Sequence, residues 1–383
     1  MKELILKYKS YLLYFFMYVP LGAVCPLIGQ YLSSIGFNGT QVGVVTACGT
    51  GAAVLGGMVW GKIYSNSSHK RMVIIVMFLL AGAASLVSLL ISAFVIYALI
   101  YGIVYFNQGP VHGLCDSMII DKGENFPAIR AVGALGYAVS VFVAGAIAEA
   151  SGLWIIFVIH ALAYVVSSLI MRQFSEPTHY VRAKERPEEK VKIAELIRDD
   201  DFVKLLVFAF FALGPTMANN TYFSYLYIGA GGDLSGVGTA FLLMAGSEAV
   251  FMWLVPWLNR RIPTEKLISV AIAVGLLRFL LYSFGPSTGV LLGTFFLQGI
   301  LNGILLVEIV KYFEKIVESR LASLSVATYY ALGNSLPAII CNLIGGVIMD
   351  HAGIRGTYLF FAVLYVISLA LYFVLGLHKE RRL

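Results

Sequence analysis

Apolar runs of membrane-crossing length alternate along this chain with short breaks of charged residues or of Gly, Pro and Asn. The breaks mark spans at 10–34, 41–63, 72–92, 94–118, 130–150, 153–172, 202–228, 237–258, 266–284, 287–313, 320–348 and 355–377. About twenty residues of helix cross ~30 Å of hydrocarbon. Lipid offers the backbone no hydrogen bonds, so a spanning segment is either a helix or a strand of a closed barrel. The ten-residue alternation of a barrel strand is absent. The pattern therefore predicts an all-α membrane protein of twelve transmembrane helices.

Lys and Arg fall on alternate breaks. Lys62, Lys70 and Arg71 follow the second span, Lys122 the fourth, Arg260, Arg261 and Lys266 the eighth, and Lys315 and Arg320 the tenth. Lys379, Arg381 and Arg382 form the tail, while the opposite breaks carry Asn38-Gly39, Asp233 and, as their one cation, Arg355. Cations stay on the cytoplasmic side, which puts both termini there and requires an even number of spans. A bacterial inner membrane is the expected location.

Composition agrees with this reading. Hydrophobic residues make up 59% of the 383 and charged residues 13%, about half the charge of a soluble domain. The net charge of +6 then reflects cytoplasmic loops rather than nucleic-acid binding. The first run, after Lys2, Lys7 and Lys9, is too long for a signal peptide and closes on no cleavage site, so it reads as the first span. Cys25, Cys48, Cys115 and Cys341 are scattered without metal spacing and read as packed thiols.

The spans form two six-helix bundles, 1–172 and 202–383, joined by a cytoplasmic linker at 173–201. The linker mixes Arg182, Lys184, Glu185, Arg186, Glu188, Glu189, Lys190 and Lys192, and reads as a solvated connector, partly an amphipathic helix from Lys190 to Arg198 on the membrane face. A regulatory role is the other reading. A duplication is visible: Ala134-Leu135-Gly136 precedes Gly145-Ala146-Ile147-Ala148-Glu149-Ala150-Ser151-Gly152 in the fifth span. Ala331-Leu332-Gly333 precedes Gly346-Val347-Ile348-Met349-Asp350-His351-Ala352-Gly353 in the eleventh. Both end in Gly-x-Ile-x-acid-x-x-Gly, as glycine packing faces of paired helices would.

Ionisable groups inside a bilayer are costly and mark function. Glu248 in the eighth span and Arg278 in the ninth lie at comparable depth, where an ion pair or shared water would let protonation of the acid release the arginine. Glu308 and Lys311 sit a turn apart in the tenth span and could pair there, as part of an intracellular gate or simply at the membrane interface. His112 and Asp116 lie toward the inner end of the fourth span, and Arg130 opens the fifth. Asn107, Tyr137, Asn219, Asn220, Tyr222, Tyr330 and Asn334 supply amides and hydroxyls suited to a solute-binding cavity. Prolines 20, 26, 110, 215 and 337 predict kinked helices.

These residues resemble the major facilitator superfamily, within it the branch of lactose permease, the oligosaccharide–proton symporters and the phenylpropionate permeases. Arg130-Ala131-Val132-Gly133-Ala134-Leu135-Gly136-Tyr137 is similar to that branch's Arg-x-x-Gly-x-x-Gly-aromatic opening of helix five. The resemblance implies solute contacts for Arg130 and Tyr137. Glu248 and Arg278 resemble the branch's coupling carboxylate and arginine, and Lys311-Tyr312 its Lys-Tyr on helix ten. The loop after the second span keeps the basic Lys70 and Arg71 of a gating signature but has Ser65 in place of its Asp. Gln298 and Leu301 stand where lactose permease has His and Glu, so a galactoside is not expected to bind in the same way.

The expectation is a secondary carrier, most simply a monomer in the bilayer. It would import a small polar or aromatic solute (sugar, nucleoside or aromatic acid) by alternating access. The proton motive force would drive it and no cofactor would be needed. Proton coupling is assigned to Glu248, Arg278, Asp116 and Glu308, and gating to Lys70, Arg71 and Lys311. The alternatives are a proton-driven exporter on the same fold and a non-transporting receptor. Enzyme chemistry finds no support, since neither a metal-ligand spacing nor a phosphate-binding loop is present.

Overall fold

The computed structural model describes residues 2–175, 193–317 and 321–378. The charged centre of the predicted linker lies outside the described residues, apart from a short helix at its end. The helices are α1 (Lys2–Val24), α2 (Ile28–Ser34), α3 (Gly39–Asn66), α4 (Lys70–Val87), α5 (Phe94–Gln108), α6 (Val111–Asp121), α7 (Phe126–Ser151) and α8 (Ile155–Met171). They continue as α9 (Ile193–Arg198), α10 (Asp200–Gly229), α11 (Leu234–Leu258), α12 (Thr264–Ser283), α13 (Thr288–Gly293), α14 (Phe295–Ile316), α15 (Ala322–Thr328) and α16 (Leu336–Val374). A π-helical segment, Tyr329–Ser335, joins α15 to α16.

Nine helices among the described residues are long and apolar enough to cross a membrane, or ten if α1 and α2, bent by 42°, form one span. A count of twelve needs two further steps. One is to accept the 17-residue α8, and the other is to divide the 51-residue stretch Leu324–Val374 in two. That stretch is continuous in helical hydrogen bonding but breaks at Gly353, where φ is +69°. The matching Gly152 ends α7 with φ +99°. Only glycine enters this region without strain, so the closing glycine of each repeated motif turns the chain at the same place.

Polar residues start the helices where the sequence breaks. Asn38 caps α3 through a reciprocal box, its side chain accepting from Gln41 N at 2.9 Å while the Gln41 side chain accepts from Asn38 N. Asn125 and Asp199 cap α7 and α10. Gly109-Pro110 breaks the predicted fourth span into α5 and α6, and Pro26 sits in the bend between α1 and α2.

The chain divides into two compact units. The first holds Met1–Lys184 and Asp233–Leu242, the second Glu185–Gly232 and Leu243–Leu383. In the first, α1 packs on α7 and α8, α3 on α5, and α4 on α5 and α8. Its core gathers Tyr14, Met17, Phe78, Cys115, Ile129 and Tyr164. In the second, α16 packs on α10 and α12, and α12 on α14. Helices in lipid gain nothing from hiding apolar surface from water, so close backbone approach does the work. A Cβ at Gly136 would overlap the Phe15 carbonyl of α1, and one at Gly56 the Phe106 carbonyl of α5. All four cysteines are free: Cys115 and Cys341 are buried as expected for packed thiols, but Cys48 is exposed.

Candidate functional site

The second unit holds the densest buried charge. Glu248 comes from the middle of α11, and its Oε1 accepts from Gln298 Nε2 at 2.8 Å and Asn302 Nδ2 at 2.7 Å. Arg278, on α12, is fully buried. Its Nη1 donates to the Gln298 carboxamide oxygen and its Nε to Tyr282 Oη at 3.2 Å. The guanidinium also lies over the rings of Phe279 and Tyr282, 5.5 and 5.0 Å from their centroids. A buried charge is tolerated only when paired and hydrogen-bonded.

Of the two arrangements expected for Glu248 and Arg278, an ion pair or a shared water, the ion pair does not form among the described residues. Gln298 stands between them. Its NH2 must face the carboxylate and its oxygen the guanidinium, because the flipped amide would set donor against donor and acceptor against acceptor. The two charges therefore dictate the amide's orientation.

Sequence reasoning named Gln298 only as a replacement and overlooked Asn302. The signal was present. Gln298-Gly299 and Asn302-Gly303 are two amide–glycine pairs four residues apart, hence on one face of α14. A Cβ at Gly299 would lie 2.5 Å from Ser247 Oγ, and one at Gly303 2.7 Å from Phe251 Cβ. The glycines let α14 come close to α11, and the amides beside them then reach the acid.

Further along α14, Glu308 is fully buried, and its Oε1 accepts from Lys311 Nζ at 2.9 Å and Asn259 Nδ2 at 2.8 Å. The predicted Glu308–Lys311 pair thus forms, with Asn259 at the end of α11 as a third member. Glu308 Oε2 is buried without a partner.

Two of the other predicted solute contacts of this unit, Tyr222 and Asn219, bond across helices. Tyr222 donates to the Asn342 carbonyl at 2.6 Å, and Asn219 Oδ1 accepts from Tyr358 at 2.9 Å, both tying α10 to α16. Asn219 Nδ2 is buried without a partner. Asn220 and Asn334 are half-buried, and Tyr330 is exposed.

In the first unit, two residues assigned to separate roles form one ion pair. Arg130 Nη1 meets Asp116 Oδ2 at 2.7 Å and Oδ1 at 3.0 Å, and Tyr14 Oη donates to Oδ1 at 2.7 Å. The Arg130 guanidinium lies 5.1 Å from the Tyr18 ring centroid, and the His112 ring packs 4.4 Å from the same ring. His112 Nε2 is buried without a partner. Tyr137 packs against the core beside them. Asn107 turns inward, its Nδ2 donating to Ile103 O of its own helix.

One buried pair of this unit escaped sequence reasoning: His160 Nε2 and Gln108 Oε1 at 2.7 Å. His160 lies in an apolar run of α8, and nothing in its spacing points to Gln108 on α5.

Of the residues assigned to gating, Lys70 and Arg71 open α4 in the first unit, while Lys311 pairs with Glu308 in the second. Lys70 is buried with Nζ 5.2 Å from the Tyr64 ring centroid. Arg71 Nη1 donates to the carbonyls of Arg172 and Phe174 past the end of α8, at 3.2 and 2.8 Å. Lys9 and Lys122 lie over the Phe174 ring at 4.9 and 4.2 Å.

The chain matches the family model described as "MFS_1 like family" over residues 6–360. It is 27% identical to the maltose permease of Geobacillus stearothermophilus over 97% of this chain and 94% of that protein. It is 25% identical to the uncharacterized transporter YwbF of Bacillus subtilis (strain 168), over 94% of this chain and 90% of that one. In solved structures the fold is similar to a mutant form of the nucleoside transporter NupG, with TM-score 0.83 and 16% identity over 97% of this chain and all of that one. It is also similar to the D-xylose-proton symporter, with TM-score 0.74 and 11% identity over 99% and 98% of the two chains.

Proposed function

The chain belongs to the MFS_1-like family and is a multi-pass membrane protein, a secondary transporter rather than an enzyme; from that premise we propose that it imports a neutral, hydroxyl-bearing solute, a sugar or nucleoside, together with protons. The Glu248–Gln298–Arg278 relay carries this reading. Protonation of Glu248 weakens it as an acceptor for the Gln298 and Asn302 amides, and solute hydroxyls are then the acceptors that those amides take up. Proton and solute binding are coupled in this way.

The preference for a neutral solute over an aromatic acid rests on how the arginines are spent. Arg130 faces Asp116, and Arg278 is compensated through Gln298. Arg278 is fully buried, and the charge of the partly exposed Arg130 is already met by Asp116. The names of the similar proteins point the same way, to maltose, nucleosides and xylose.

The test is uptake into proteoliposomes of a radiolabelled sugar and a nucleoside, each with and without an inward proton gradient, with an aromatic acid as control. Accumulation driven by the gradient is expected for a neutral solute, and Glu248→Gln should abolish accumulation while sparing exchange. Driven efflux in place of uptake would establish the exporter. The twelve-span topology with both termini cytoplasmic is proposed alongside, and reporter fusions at each break would check it.

A further inference from the structure

The inner end of α11 carries a feature that neither solute binding nor coupling uses. Trp253 and Trp257 lie four residues apart, hence on one face of the helix. They are 81% and 48% exposed, far more than packed tryptophans. With Leu254, Pro256 and Arg260 they line a cavity of about 500 Å³. Arg261 lies 5.1 Å from the Trp257 ring centroid and steadies the indole from the polar side. Among the described residues neither Arg260 nor Arg261 has an acidic partner. The helix face above continues apolar through Val250, itself 59% exposed.

We propose that this cavity binds an anionic phospholipid, its phosphate held by Arg260 and Arg261 and an acyl chain laid along Trp253, Leu254 and Val250. Indoles settle at the boundary of hydrocarbon and headgroup, where their N–H stays wet and the ring stays dry. An unpaired cation beside them lacks the negative charge that a phosphodiester supplies, and an arginine fork binds phosphate by two parallel hydrogen bonds. An apolar wall and an unpaired cation in one cavity together select a lipid over a soluble anion. The site is independent of Glu248 and Arg278 and stands whatever the transported solute is.

The chain has four tryptophans, so quenching reads the site directly once Trp60 and Trp154 are replaced by Phe. The full-length protein is reconstituted in phosphatidylcholine vesicles, and its fluorescence is titrated with brominated phosphatidylglycerol or brominated phosphatidylcholine. A relative association constant at least about fivefold in favour of phosphatidylglycerol is expected, the weight of one well-placed cation. Arg260→Gln with Arg261→Gln should bring that ratio to about one while gel-filtration behaviour is unchanged. Equal quenching by the two lipids overturns the proposal, as does selectivity that survives both substitutions. Loss of selectivity in millimolar inorganic phosphate at constant ionic strength would overturn it too, by assigning the site to a free anion.

Discussion

Gln298 donates to Glu248 at 2.8 Å with its amide nitrogen and accepts from Arg278 with its amide oxygen. A neutral side chain thus joins an acid and a base that do not touch. Glutamine has no titratable proton, so any change at Glu248 reaches Arg278 as a change in hydrogen-bond strength and in field. Gln298→Leu should remove an acceptor from a buried guanidinium and cost about 1.5–3 kcal/mol of stability, with uptake lost. Melting in detergent and uptake measured together check this, and an unchanged pH profile in Gln298→Glu would remove the relay from the coupling mechanism.

Asp116 and Arg130 make the first unit's counterpart, but the pair is 24% and 45% exposed, so it should contribute less than about 1 kcal/mol to stability. Asp116→Asn is therefore expected to fold normally while freeing the guanidinium. Binding of carboxylate-bearing solute analogues should then strengthen several-fold over the native protein, read by thermal shift or equilibrium binding. If Asp116→Asn leaves analogue affinity unchanged, Arg130 does not face the solute.

Close helix packing gives a paired stability test. A Cβ at Gly136 would run into the Phe15 backbone, whereas at Gly57 it would meet nothing within 4 Å. Gly136→Val should cost upwards of about 1–3 kcal/mol by overpacking. Gly57→Val should leave the melting midpoint and the monodisperse fraction near those of the native protein. Equal behaviour of the two variants would refute the α1–α7 packing described above.

Lys122, just past α6, yields a pH prediction. Burial, then the neighbouring Lys9, pushes its ammonium below the usual lysine value of about 10.4, with Glu124 opposing. The folded protein thus holds this proton less tightly than the unfolded chain does. The penalty is present in full at neutral pH and fades as pH rises toward the unfolded value. The stability of Lys122→Met relative to the native chain should be greatest near pH 7 and should fall by pH 10, as followed by thermal melting at both values. A relative stability that climbs with pH would contradict the assignment.

What the sequence alone determined is what depends on period, length and charge sorting. Runs such as 202–228 and 266–284 appear as α10 and α12 because hydrocarbon thickness and the backbone's need for internal hydrogen bonds leave a run of that length no other form. The repeat that closes on Gly152 and Gly353 was legible as a packing motif, but the structure gives these two glycines a different task, turning the chain at positive φ. The Glu308–Lys311 pair was legible because its two members lie one turn apart on a single helix. Tertiary structure alone decided which polar groups meet across helices. Arg130 faces Asp116 rather than open space, Glu248 reaches Arg278 only through Gln298, and His160 finds Gln108. Helical spacing says which face a residue occupies, but not which face of which other helix lies opposite. That choice belongs to backbone approach at glycines such as Gly299 and Gly303, and approach is a property of two helices at once.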